Sequence, residues 1–174
     1  VAQNWYPYIK PGTWPDCDMI PLGRISIRGE RGGDRQSRLT KDEQYSLMTF
    51  FTIFRSPLMF GGDMPSMDPF TLSLLTNKEV LEMHRHGSKV RQLFQKDGKL
   101  AVTSVNAKTG AKYLALFNIS DSREPMTIEV PLSELGIKKK AKVVDMWTNQ
   151  SLGKLRNSIK VEVPMHGSKL FYLK

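Results

Sequence analysis

Cysteine occurs once in the 174 residues, at Cys17, and histidine three times. A single thiol cannot close an intrachain disulfide, and three scattered histidines do not make a zinc ligand set. His84 and His86 form a bare His-x-His with no third ligand nearby, the ordinary pattern of surface histidines after a helix, so neither a metal nor any other cofactor is expected. No apolar run reaches the roughly eighteen residues of a spanning helix, and the N-terminus lacks the charged-then-apolar pattern of an export signal. Neither a membrane span nor an export segment is therefore expected here. Internal repeats and low-complexity tracts are absent too. Acidic residues are scarce, 17 against 26 Lys and Arg, for a net charge of +9. The first 86 residues carry ten of each sign, so the whole excess lies in residues 87–174. Such asymmetry raises a nucleic-acid partner, but the lysines are spread along alternating segments, with Lys138-Lys139-Lys140 as their only run. Arg31-Gly32-Gly33 is interrupted by Glu30 and Asp34 and alternates with no aromatic. The charge reads as a solvated face, with no nucleic acid expected.

What is present begins with Gly12-Thr13-Trp14-Pro15-Asp16-Cys17-Asp18-Met19-Ile20, two carboxylates two residues apart between a proline-marked turn and an apolar run. Were the chain extended there, Asp16 and Asp18 would share one face and Cys17 and Met19 the other. On residues alone, such carboxylates could bind sugar hydroxyls, bind a metal, or cap a turn. Upstream, Trp5, Tyr6 and Tyr8 lie among prolines in an irregular segment, where packing under a loop is the common aromatic role. Downstream, residues 23–38 form a polar loop rich in Gly and Arg.

Thr40-Lys41-Asp42-Glu43 has the spacing of a capping box and predicts a helix from Lys41 to about Arg55. Leu47, Phe50, Phe51 and Phe54 give it one apolar stripe, and Ser56-Pro57 ends it. Leu58-Met59-Phe60 suits a strand buried on both faces, followed by Gly61-Gly62-Asp63. Asp68-Pro69 opens a helix through Leu75, and Asn77 caps another from Lys78 to about His84. This is the cadence of parallel β/α units. From Val90 onward only strand signals remain, with glycine turns at Lys96-Asp97-Gly98-Lys99 and Lys108-Thr109-Gly110-Ala111, which predicts an antiparallel sandwich. A boundary near Gly87 divides residues 1–86 from residues 87–174.

Trp14 to Ile20, then Ser56-Pro-Leu-Met-Phe-Gly-Gly-Asp63 and Leu75-Thr-Asn-Lys-Glu-Val80, resemble in order and spacing the α-galactosidases and α-N-acetylgalactosaminidases of glycoside hydrolase family 27. Asp145-Met-Trp-Thr-Asn-Gln150 and His166-Gly-Ser-Lys-Leu-Phe-Tyr-Leu173 look like the end of that family's C-terminal β domain, so the resemblance covers nearly the whole chain. The family more often has Asn and Pro where Pro15 and Cys17 stand, while Asp16, Asp18 and Met19 match. A (β/α)₈ barrel takes about 250 residues. The fold implied is therefore α/β plus all-β: the C-terminal end of the barrel, about strands seven and eight, in residues 1–86, and a β-sandwich in 87–174.

The resemblance further implies a retaining glycosidase acting on terminal α-galactosides, with both catalytic aspartates on earlier strands and absent here, so the chain alone is expected to be inactive. It implies that Asp18 accepts hydrogen bonds from the sugar and that Met19 lines the apolar side, with Trp14 as a further pocket wall. Asp16 and Asp63 are expected to support the site, Asp16 by ordering the turn, and the loop after strand seven to shape outer sugar subsites. The family also implies a secreted or periplasmic enzyme, lysosomal in other lineages. The alternatives are a non-catalytic carbohydrate-binding β module and a basic nucleic-acid-binding domain.

Overall fold

The computed structural model describes residues 4–174. Its first half alternates short strands with helices: β1 (Met19–Ile20), β2 (Arg24–Ile25), β3 (Arg35–Gln36), α1 (Lys41–Ile53), β4 (Met59–Phe60), α2 (Pro69–Leu75) and α3 (Lys78–His86). β1 and β4 pair in parallel, with Met19 beside Met59 and Ile20 beside Phe60, while β2 and β3 form a small antiparallel hairpin inside the polar loop. Two paired strands with their helices are present among the described residues, and no closed barrel.

Each helix starts where its cap residue directs. Thr40 Oγ1 accepts from the Glu43 N–H, and Glu43 Oε2 accepts from the Thr40 N–H at 2.7 Å, so the capping box is complete. Asp68 accepts from Thr71 N at 3.0 Å and Asn77 from Val80 N at 3.1 Å.

The second half is built of strands, with one short 3-10 turn at Leu132–Leu135: β5 (Gly87–Lys96), β6 (Lys99–Asn106), β7 (Lys112–Asn118), β8 (Met126–Pro131), β9 (Ala141–Asp145), β10 (Ser151–Leu155), β11 (Ser158–Val163) and β12 (Ser168–Leu173). Six of them form an antiparallel sheet in the order β10-β9-β12-β7-β6-β5, and β8 pairs with β11 in a second sheet. The tight β5–β6 turn places Asp97 and Gly98 at φ of 51° and 72°, the left-handed pair of a two-residue hairpin.

The large sheet is covered on both faces. Ala101, Leu114, Leu116, Val143, Phe171 and Leu173 face β8 and β11, whereas Leu100, Val102, Tyr113, Ala115, Phe117 and Leu170 meet Ile53, Phe54, Val80 and Met83 of the helices. This explains why β7 reads as an unbroken apolar run from Tyr113 to Phe117 although it is antiparallel. It also corrects the single-stripe reading of α1. Met48, Thr49, Phe51, Thr52 and Ile53 are buried, because the helix lies between the large sheet and a third cluster around Ile20, Leu22 and Leu74. Thr49 is satisfied from the sheet side: its Oγ1 accepts from Trp147 Nε1 at 2.9 Å and lies 3.1 Å from Ser168 Oγ. The Asp145-Met-Trp run aims that indole, since Asp145 Oδ1 accepts from the N–H groups of Trp147 and Thr148.

β4 differs from expectation as well. Met59 is 48% exposed, so this strand is not buried on both faces. In the upstream segment Tyr6 packs edge-on against Phe54 at 5.3 Å, whereas Trp5 and Tyr8 stay exposed. No helix among the described residues is long and apolar enough to cross a membrane.

Candidate functional site

The stretch before β1 is a turn held by its own acids. Asp16 Oδ1 accepts the Asp18 N–H at 2.8 Å, Asp18 sits at φ 72°, and its Oδ1 accepts the Met19 N–H at 2.7 Å. Asp and Asn are among the few residues that enter the left-handed region, because a short polar side chain bonds the neighbouring backbone. The extended conformation expected for Asp16 to Met19 is thus overturned, and with it the argument that Asp16 and Asp18 share a face by alternation. Ser56 anchors the turn from the far side, its Oγ accepting from Cys17 N at 2.9 Å. Burial pushes the Cys17 thiol up, against the Ser56 hydrogen bond, which lowers it. Both aspartates are exposed, and Asp18 Oδ2 accepts no hydrogen bond among the described residues.

Met19, 57% exposed, lines a cavity of about 390 Å³. Gly61, Gly62 and Asp63, past the end of β4, form another part of its wall, and the β2–β3 hairpin closes it with Arg24, Ile25, Arg28, Glu30, Arg31 and Arg35. Gly62 is required there, since a Cβ would stand 2.2 Å from the Leu22 carbonyl oxygen. Asp63 ties the strand end to the hairpin: its N–H donates to Arg24 O at 2.7 Å, and its Oδ2 accepts from Ser66 N. The polar loop is expected from the sequence to shape outer subsites, with no individual roles for its arginines, and four of them line this cavity. Their density, five in residues 24–38, was the available signal.

Trp14 lies elsewhere. It lines a separate cavity of about 530 Å³ with Arg55, Pro57, Leu81, His84 and Arg85, its ring 5.8 Å from the Arg55 guanidinium. The turn at Asp16–Asp18 separates it from Met19, so the structure brings Met19 and Asp63 to one cavity and Trp14 to another. The two helix histidines also have separate partners. His84 is half-buried inside α3 with Nε2 2.8 Å from Ser56 O, and burial lowers its pKa; His86 Nε2 lies 3.1 Å from Glu82 Oε1.

Known proteins place this arrangement. Residues 97–173 match the family model described as the alpha galactosidase C-terminal beta sandwich domain. A β-L-arabinopyranosidase of glycoside hydrolase family 27 from Geobacillus stearothermophilus is 41% identical, with a TM-score of 0.94 over 99% of this chain and 40% of its own. The chain is a glycoside hydrolase family 27 C-terminal region. A putative α-N-acetylgalactosaminidase from Bacillus halodurans is 36% identical at a TM-score of 0.90, covering 99% of this chain and 42% of that one. Alpha-galactosidase 2 of Arabidopsis thaliana is 27% identical over 98% of this chain and 40% of its own length. The family 27 region described here thus spans about two fifths of these relatives, which are glycoside hydrolases, and its second half is their β-sandwich.

Proposed function

We propose that this region forms the C-terminal part of a retaining glycosidase that removes a terminal α-linked galactose or a sugar of the same ring configuration. In this reading residues 1–86 belong to a (β/α)₈ barrel, with β1 and β4 as strands seven and eight, and residues 87–174 form the sandwich that follows it. Support comes from the parallel β1–β4 pair: Gly61 and Asp63, past the C-terminal end of β4, line the cavity that Met19 also lines, and a barrel presents its substrate site at the C-terminal ends of its strands. The observation that carries the reading is the Asp18–Met19 corner. An exposed carboxylate with one oxygen committed to the backbone and the other available adjoins an exposed thioether at the strand start. That pairing suits a sugar ring, which offers hydroxyls at its rim and C–H groups on its face.

Retaining hydrolysis takes two carboxyl groups about 5 to 5.5 Å apart, one attacking the anomeric carbon and one acting as acid, then base. Asp18 serves in neither role here, since it binds and orients. The catalytic pair belongs to earlier barrel strands, so the chain alone hydrolyses nothing. β-L-Arabinopyranosides share the ring configuration of α-D-galactopyranosides and lack only the exocyclic carbon, so one corner of this shape serves either sugar.

The test is Asp18→Asn in the protein joined to its upstream barrel. Asn keeps the left-handed turn and the backbone acceptor but removes the charge that strengthens hydrogen bonds from sugar hydroxyls. A fall in kcat/KM of about ten- to hundredfold on an aryl α-galactoside is expected, about 1.4 to 2.7 kcal/mol. An effect within twofold would remove Asp18 from the site.

A further inference from the structure

The β2–β3 hairpin is an ordered wall. Arg24 and Asp34 form a two-pronged ion pair, with Arg24 Nε 2.8 Å from Asp34 Oδ1. Arg35 Nη1 donates to Arg31 O at 2.7 Å and to Gly33 O at 3.0 Å, and Ser26 Oγ donates to Arg31 O. Below the hairpin, Ser37 N donates to Gly23 O at 2.7 Å. The backbone of the tip is therefore held by contacts within the loop.

The charges on the cavity wall are not balanced. Four arginines, Arg24, Arg28, Arg31 and Arg35, line it with two acids, Glu30 and Asp63. Both carboxylates already have local donors, Glu30 from the Arg28 N–H and Asp63 from Ser66. Arg24 is matched by Asp34 and Arg35 is tied to carbonyls, but the guanidinium forks of Arg28 and Arg31 donate to nothing among the described residues. Pro21, Ile25 and Ile27, the last 43% exposed, add apolar surface to the lining of the same cavity. A carboxylated sugar matches both parts, its C–H face an apolar patch and its acid group a planar fork.

We propose that Arg28 and Arg31 select an acidic glycan, one whose sugar next to the terminal residue is a uronic acid. Its carboxylate docks on these forks while the terminal sugar lies at Met19. This rests on the family 27 reading of the same cavity and adds the class of the neighbouring sugar. Arginine is the appropriate residue, because two parallel N–H donors match the two oxygens of a carboxylate, which a lysine ammonium does not reproduce.

The test is an NMR titration of the 174-residue chain, following the Met19 methyl group and the hairpin amides. The probes are digalacturonic acid, a neutral α-galactoside, and sodium acetate at matched ionic strength. Digalacturonic acid should shift the hairpin signals and bind at least about tenfold more tightly than the neutral sugar, a preference of the order one charge-assisted bond confers. Arg28→Gln with Arg31→Gln should abolish that preference, and Arg28→Lys with Arg31→Lys should restore less than half of it, with melting temperatures unchanged. Equal binding of acidic and neutral sugars, full rescue by lysine, or the same shifts with acetate alone would overturn the inference, as would no response to the acidic disaccharide. The glycosidase reading is judged separately, by Asp18→Asn in the protein joined to its upstream barrel: a twofold or smaller effect there, with the hairpin still responding to the acid here, would leave the arginine site standing and the galactoside reading fallen.

Discussion

Asp16 and Asp18 divide their work by position in one turn. Asp16 offers an acceptor to the Asp18 N–H, and Asp18, at φ 72°, gives one oxygen to the Met19 N–H and leaves the other without a donor among the described residues. Asp16→Ala removes the acceptor at an exposed position and should lower stability by about 1 kcal/mol, whereas Asp16→Asn keeps a carbonyl acceptor and should cost less. Thermal melts of the two variants check this, and equal losses would exclude the turn-holding role. Gly62 gives a stronger effect. A methyl group there would meet the Leu22 carbonyl oxygen at 2.2 Å, so Gly62→Ala should destabilise by about 1 to 3 kcal/mol and distort the cavity wall at Met19. Met19 and Asp63, which the sequence singles out, line one cavity, but the geometry of the turn before Met19 was not legible. A non-glycine residue in the left-handed region depends on hydrogen bonds made after the chain has turned, so strand alternation was the wrong template for Asp18. The same turn put Trp14 on a different cavity from Met19.

Among elements, α1 is held at its N-terminus by a residue far along the chain. His166, in the β11–β12 turn, places Nδ1 3.1 Å from Glu43 Oε1 and Nε2 2.9 Å from Asp121 Oδ1, while Ser46 Oγ donates to the His166 carbonyl at 2.6 Å. A neutral imidazole has one N–H, so two carboxylate partners call for the imidazolium. The Asp121 hydrogen bond first, and then that of Glu43, raise the His166 pKa above its ordinary 6.5. Glu43 is held below its ordinary 4.5, chiefly by the Thr40 backbone N–H and hydroxyl and then by His166. The signs are opposite. The His166 contribution is complete below pH 6.5 and is lost as pH rises through its raised pKa, and the Glu43 contribution is complete above 4.5 and is lost as pH falls through its lowered one. The clasp should therefore be tightest in mildly acidic solution. An imidazole titration followed by NMR should give a pKa above 6.5 that drops in Asp121→Asn, and an unshifted value would exclude the clasp. Thr40→Ala should cost about 1 kcal/mol through loss of the cap. The capping box, the two helix caps and the glycine hairpins were readable because each is a contiguous pattern with a local cause. β10 was not, since Gly153 and a register shift break its alternation, and β2–β3 was missed because two-residue strands carry no period.

At the scale of the whole molecule, the change from helix to strand at His86–Gly87 coincides with the proposed boundary, yet the apolar packing does not stop there. Ile53, Phe54, Val80 and Met83 cover one face of the large sheet, and the Trp147–Thr49 hydrogen bond reaches back across the same contact. A sheet with one face packed on β8 and β11 and the other on helices has no face adapted to water. Residues 87–174 expressed alone would expose Val102, Tyr113, Phe117 and Leu170, a patch of the kind that drives association. The two parts should consequently unfold together in the complete chain. The expected result is one calorimetric transition with equal van't Hoff and calorimetric enthalpies, and a sandwich fragment that binds a hydrophobic dye or self-associates. Phe54→Ala, which removes a ring packed against Tyr6 and Phe50 as well as the sheet, should lower the stability of that single transition by about 3 to 5 kcal/mol. Two separate transitions, with Phe54→Ala moving only the first, would mean that the sandwich is an independent module and that the helices merely rest on it.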